Sequence, residues 1–142
     1  MVHDERIRMM KPGEGRQDPV DAFLDAVARS AIGSCEAWAD DVELDATVPN
    51  WRFLLRGAES VRDEYGRWFA SPGRFDGLRR MPYAGGEVIE YTLSWEDDGV
   101  PHAAHHVHIL EIAEGRIVRD TVMCGGRWPA SLLAEMAEAA HV

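Results

Sequence analysis

The strongest constraint on this chain is the alternation that sets in at Ile89 and runs to Cys124. Ile89, Tyr91, Leu93 and Trp95 alternate with Glu90, Thr92 and Ser94, and the acidic turn Glu96-Asp97-Asp98-Gly99 follows. A second strand is predicted from about His102 to Ile112, then a tight turn at Glu114–Gly115 and a last strand from Arg116 to Cys124. Consecutive strands joined by short turns form an antiparallel meander, and its apolar face needs a cover.

The cover is predicted upstream. Asp18, Pro19 and Asp21 read as an N-cap, a first-turn proline and a first-turn acid, after which Val20, Phe23, Leu24 and Val27 recur at helical spacing. That helix should end near Gly33, and Ser34 should cap a second, shorter one through Trp38. Val42, Leu44, Ala46 and Val48 alternate with Glu43, Asp45 and Thr47 as a half-buried strand, which Pro49 stops. After a loop around Asn50, Trp51 and Arg52, a third helix follows Gly57, with Val61, Tyr65, Trp68 and Phe69 on one stripe, closed by Ser71, Pro72 and Gly73. A broken strand over 78–83 precedes the Gly85–Gly86 turn, and Trp128 and Pro129 open a short C-terminal helix carrying Leu132, Leu133 and Met136. Residues 1–17, charged and containing Pro and Gly without apolar period, are expected to be a flexible tail, and 18–142 a single domain. The expected class is α+β: a curved antiparallel sheet packed against three N-terminal helices, with a short C-terminal helix.

Composition narrows the function. With 15 Lys+Arg against 25 Asp+Glu the formal charge is −10, which repels nucleic acid and anionic lipid headgroups, so neither is an expected partner. No run approaches the roughly 18 apolar residues of a membrane span, and the opening MVHDERIRMM is charged. The expectation is a cytoplasmic protein in which Cys35 and Cys124 are reduced thiols.

The order of elements, and several strings, resemble the nuclear transport factor 2-like superfamily, which includes SnoaL-like polyketide cyclases, ketosteroid isomerases, scytalone dehydratase and limonene epoxide hydrolase. The strings are Ala39-Asp40-Asp41 leading into the first strand, Gly57-Ala58-Glu59-Ser60-Val61 opening the third helix, and the hairpin Trp95 … Gly99-Val100-Pro101 … Ile112 … Gly115-Arg116-Ile117. The resemblance covers about 18–128 and implies a cone-shaped fold with an internal cavity, a small hydrophobic ligand, no cofactor, and pairing of two copies through the outer sheet face. It fixes no reaction. The ketosteroid isomerase pattern fails here: its general-base aspartate falls at Ala46, its first-helix tyrosine near Ala26, and its strand aspartate at His108. SnoaL-like cyclases often carry Glu-His-Trp-Asp on the last strand, where this chain reads Arg119-Asp120-Thr121-Val122.

By the same resemblance the inward face carries Ile89, Tyr91, Leu93 and Trp95, then Ala104, His106, His108, Leu110 and Ile112, then Val118, Asp120, Val122 and Cys124. Apart from the two histidines and Asp120 this face is apolar, and a buried polar group without a partner costs about 1–3 kcal/mol. Pairing His106 or His108 with Asp120 would meet that cost. It would also make an acid–base dyad, because imidazole exchanges protons near neutral pH and a carboxylate on its far nitrogen fixes the tautomer. Catalytic candidates are therefore His106, His108 and Asp120. Trp51 and Tyr83 are expected at the cavity mouth, with Tyr91 and Trp95 as its aromatic wall. Asp45 is a candidate second acid, and Arg52 and Arg56 are candidate anion contacts. Cys124 reads as packing, and Val107 and Ile109 as a dimer surface. His102, His105, His106 and His108 also invite a metal reading, for which Asp120 is the only further local ligand; no metal is assigned. Two readings stay open: a cofactor-independent isomerase, dehydratase or cyclase acting on a hydrophobic ring substrate, or a non-catalytic ligand-binding or dimeric interaction module whose His–Asp pair is structural.

Overall fold

The computed structural model describes residues 17–140; the tail expected over 1–17 lies, except for Gln17, outside them. Helix α1 (Pro19–Arg29) starts as the sequence dictates: the Asp18 Oδ1 accepts from the amides of Val20 and Asp21 at 2.8 and 3.1 Å. It stops at Ser30, which turns left-handed (φ 56°) while Ala31 N–H returns to Ala26 O. Of the three N-terminal helices expected, the second is a single 3-10 turn, Ile32–Ser34. Trp38, expected at its end, instead opens strand β1 (Trp38–Val48), where it pairs with Ile117. A stretch this short gains more from sheet partners than from isolated helical turns.

A second correction follows at Pro49. The residues expected to form a loop, Asn50 to Arg52, lead directly into strand β2 (Trp51–Arg56), which folds back on β1 with Val48 opposite Trp51. Pro49 and Asn50, the latter at φ 64°, supply the proline-then-left-handed pair of a tight turn. The strand escapes notice because Trp51-Arg52-Phe53-Leu54-Leu55-Arg56 does not alternate cleanly. Helix α2 (Ala58–Trp68) then buries Val61 and Tyr65 on the expected stripe.

Strands β3 (Gly73–Tyr83), β4 (Gly86–Asp97), β5 (Val100–Ala113) and β6 (Arg116–Pro129) complete a six-stranded sheet in the order β2-β1-β6-β5-β4-β3. Strand β3 starts earlier than expected and carries an irregularity between Asp76 and Arg79, where Gly77 sits at φ 65°. Neighbours are antiparallel except β1 and β6, which run parallel and so join the two ends of the chain's sheet. Helix α3 (Ala130–Ala139) follows β6 and buries no residue.

One register detail positions the site. From the Glu114–Gly115 turn, Ala113 faces Arg116 and Ile112 faces Ile117, but Glu111 then faces Arg119, so one extra residue, Val118, is accommodated in β6. Without that bulge Asp120 would lie opposite Ile109 and point outward. With it, Asp120 faces Leu110, and Ile117 rather than the expected Val118 is the fully buried residue at this end.

The two helices lie over the inner face. Phe23 is the centre of this packing, with its ring edge-on to Trp38 at 5.9 Å, to Phe69 at 6.1 Å and to His108 at 5.2 Å. Phe23→Ala should therefore cost about 3–5 kcal/mol of unfolding free energy in urea titrations, as a large cavity opens between helix and sheet.

Candidate functional site

The register brings the inward polar residues into one continuous hydrogen-bonded line. His108 and Asp120 are cross-strand diagonal neighbours, 0% and 1% exposed, with His108 Nδ1 3.0 Å from Asp120 Oδ1. The other carboxylate oxygen, Oδ2, accepts from the Tyr65 hydroxyl of α2 at 2.7 Å. On the far side of the His108 ring, Nε2 lies 2.9 Å from the Tyr91 hydroxyl, and the same hydroxyl is 3.0 Å from His106 Nδ1. The line reads Tyr65, Asp120, His108, Tyr91, His106. His108 is thus the histidine that pairs with Asp120, and His106 joins through Tyr91.

Directions along this line follow from what each group can donate. As a carboxylate Asp120 only accepts, so His108 presents Nδ1–H to it and keeps its lone pair on Nε2. Burial, and then the Asp120 charge, hold the Tyr91 and Tyr65 phenols far above their usual range, Tyr65 also through its hydrogen bond to Asp120, so both remain hydroxyl donors. Tyr91 gives its one proton to His108 Nε2, and its oxygen then accepts from His106 Nδ1–H. That assignment leaves the lone pair of His106 on Nε2.

Nε2 of His106 has no hydrogen-bond partner among the described residues. The one fully enclosed side-chain polar atom without a partner there is Trp38 Nε1, so His106 Nε2 is open to space. The space is a pocket of about 400 Å³. His106 and Cys124, which face each other across β5 and β6, form its polar floor. Trp68 and Phe69 from the end of α2 wall one side, their rings 5.5 and 5.7 Å from the imidazole, and Leu93, Trp95 and Ala104 wall the other. Burial, and then the neighbouring His108 and His105, push His106 down to about 3, so it rests as the neutral imidazole.

The expected site residues divide accordingly. Trp95 lines the pocket and Tyr91 stands behind His106. Trp51 and Tyr83, expected at the mouth, are not among its lining residues: Trp51 lies on the edge strand, 69% exposed, and the Tyr83 hydroxyl donates to Leu110 O at 2.8 Å. Asp45 is on the outer face, clamped by Arg52 through bonds of 2.8 and 2.7 Å, and Arg56 pairs with Glu43. These three take no part in the pocket, because alternation along β1 and β2 turns them away. The four histidines diverge: His105 bonds Thr92 and Glu90 outside, and His102 bonds Val100 O and stacks on Trp95. Cys35 and Cys124 are both unpaired. Tyr65 joins the site without a functional signature in the sequence beyond its place on a buried helical stripe, where a tyrosine hydroxyl must find a partner.

With this geometry in view, comparison with known proteins places the fold. No family model matches the sequence, and none of the curated proteins matches it. Solved structures do. An NTF2-like protein of unknown function from Mesorhizobium loti superposes with a TM-score of 0.62 at 20% identity, over 76% of this chain and 88% of that one. An LEH-like epoxide hydrolase from M. tuberculosis gives 0.59 at 16%, over 75% and 79%. A phenazine biosynthesis-related protein, phzb2, from Pseudomonas aeruginosa gives 0.55 at 12%, over 76% and 79%. The chain has the nuclear transport factor 2-like fold. Among the described residues no helix is long and apolar enough to cross a membrane.

The depressed His106 has a consequence for stability. The unfolded chain takes up a proton near 6.5 that folded His106 refuses until about 3, so stability falls as pH drops through that window, by up to about 1.4 kcal/mol per pH unit for this one group. Denaturant titrations of the wild type and His106→Gln should show a shallower acid slope in the variant.

Proposed function

We propose that this protein is a cofactor-independent acid/base enzyme of the isomerase, dehydratase or cyclase type, with His106 as the group that meets a small hydrophobic ring substrate. The observation that carries this reading is the unpartnered Nε2 of a 3% exposed imidazole, opening onto a pocket with largely apolar and aromatic walls. A neutral imidazole there is a base aimed at the substrate, and general-base action of this kind contributes about 10²–10⁴ in rate.

The buried line explains how such a base works despite its desolvation. A proton taken from a carbon next to a carbonyl arrives at His106 Nε2. His106 Nδ1–H passes its proton to Tyr91 oxygen as Tyr91 passes its own to His108 Nε2. The positive charge then rests on His108 against Asp120, rather than on His106. Run in reverse, His106 Nε2–H is an acid that reprotonates the substrate at another atom or protonates a departing hydroxyl. His106 is the catalytic residue in this reading. Tyr91, His108, Asp120 and Tyr65 act through it and are positioning residues.

Deuterium exchange at the α-carbon of a bicyclic ketone such as 2-tetralone, followed by NMR in heavy water, tests the proposal without knowing the natural substrate. The wild type should exceed buffer, His106→Gln should lose about 10²-fold or more, and Asp120→Asn and Tyr91→Phe should lose rate while still binding the ketone. If His106→Gln exchanges as fast as wild type, His106 is not the base. If the wild type binds the ketone and adds nothing to the buffer rate, the alternative holds, a ligand-binding module of the same fold.

The partner reading is a second copy of the chain. On the outer face, Leu54, Asp45, Thr121 and Ile109 fall in one cross-strand row, and Leu54, Ile109 and Met123 are 66%, 38% and 45% exposed. Sedimentation should give a dimer for the wild type and a monomer for the Ile109→Asp, Met123→Lys double variant.

A further inference from the structure

The pocket contains a second kind of information, in its charges. The chain holds 25 acidic residues and a formal charge of −10, yet no Asp or Glu lines the pocket, whereas Arg67 and Arg127 both do. The two arginines stand on opposite walls, one from the last turn of α2 and the other from the end of β6. Arg127 lies over the Trp95 ring with its guanidinium carbon 5.0 Å from the centroid. Each is bonded by one carboxylate through Nη2 alone: Arg127 by Asp97 at 2.8 Å, itself bonded to Ser71, and Arg67 by Glu64 at 2.5 Å, whose other oxygen accepts from Trp68 Nε1 at 2.9 Å. Among the described residues their Nε and Nη1 donors are otherwise unengaged.

Depth separates these groups from the base. The Arg67 and Arg127 side chains are 69% and 54% exposed, whereas His106 is 3% exposed. A ligand that reaches His106 between Trp68 and Phe69 on one side and Leu93 and Trp95 on the other leaves its outer end beside two guanidinium groups. A planar guanidinium fork matches a carboxylate, and such a group at the mouth keeps much of its hydration, so little desolvation opposes the contact.

We infer that the substrate is amphipathic: a one- or two-ring apolar body bearing a carboxylate, the ring reaching His106 and the carboxylate held at the mouth by Arg127 and Arg67. This inference rests on the reading of the pocket as the substrate site and adds the chemical class. It also orients the substrate. The reacting carbon lies on the part of the ring remote from the carboxylate, and the acid group is an anchor that survives the reaction.

The test compares 2-naphthoic acid with its neutral isostere 2-naphthamide by isothermal calorimetry on the full chain at low salt. The wild type should bind the acid at least tenfold more tightly than the amide. In the Arg67→Gln, Arg127→Gln double variant that ratio should fall to near one with the amide affinity unchanged. An Arg74→Gln, Arg79→Gln control, on β3 and outside the pocket lining, should keep the wild-type ratio. Equal binding of acid and amide by the wild type overturns the carboxylate inference and leaves the pocket reading standing. So does a preference that survives in the pocket double variant or disappears in the control. Failure of the wild type to bind either probe overturns both.

Discussion

A carboxylate buried to 1% exposure, Asp120, sets the terms for the interior of this protein. Placed among apolar side chains without partners it would be too costly to keep ionised. Its two oxygens are satisfied by one group from a helix, the Tyr65 hydroxyl, and one from the neighbouring strand, His108 Nδ1. The same two bonds that make the carboxylate tolerable tie α2 to the sheet and fix the His108 tautomer. Everything further along the line, from Tyr91 to the free nitrogen of His106, inherits its direction from that first pair.

The sheet is shaped to permit this. A meander alone would leave β1 and β2 as a separate hairpin, but parallel pairing of β1 with β6 makes a single surface around the helices. The pocket then opens where the end of α2 meets the inner face, so its walls come from β1, α2, β4, β5 and β6. Filling by Phe23, Trp38, Tyr65 and Phe69 leaves His108 and Asp120 enclosed and only His106 in contact with open space.

Much of the strand framework was legible because period-two alternation and the Asp98–Gly99 and Glu114–Gly115 turns are local signals. The inward orientation of His106, His108 and Asp120 could be read from the same pattern together with the family resemblance. What could not be read depends on contacts between distant segments. The Val118 bulge is invisible in an alternating string, yet it decides which β6 residues face inward. The choice of His108 over His106 as the Asp120 partner follows from that register. Strand β2 has no clean alternation because it lies at the sheet edge, and Trp38 joins the sheet only because Ile117 is there to pair with it. Arg52 and Arg56 looked available as isolated residues, and their carboxylate partners on β1 become evident only once the β1–β2 pairing is known.

The buried hydrogen-bonded line and the pocket walls are made of different residues, and this gives the fold a particular evolutionary freedom. Leu93, Trp95, Ala104 and Trp68 touch the open space but make no hydrogen bond within the Asp120 line. Exchanging them alters the shape of what fits without disturbing the tautomers behind His106. A lineage built on this arrangement can change the shape of its pocket while the buried line behind it stays the same, which is one physical route by which a single cone-shaped scaffold comes to fit different small molecules.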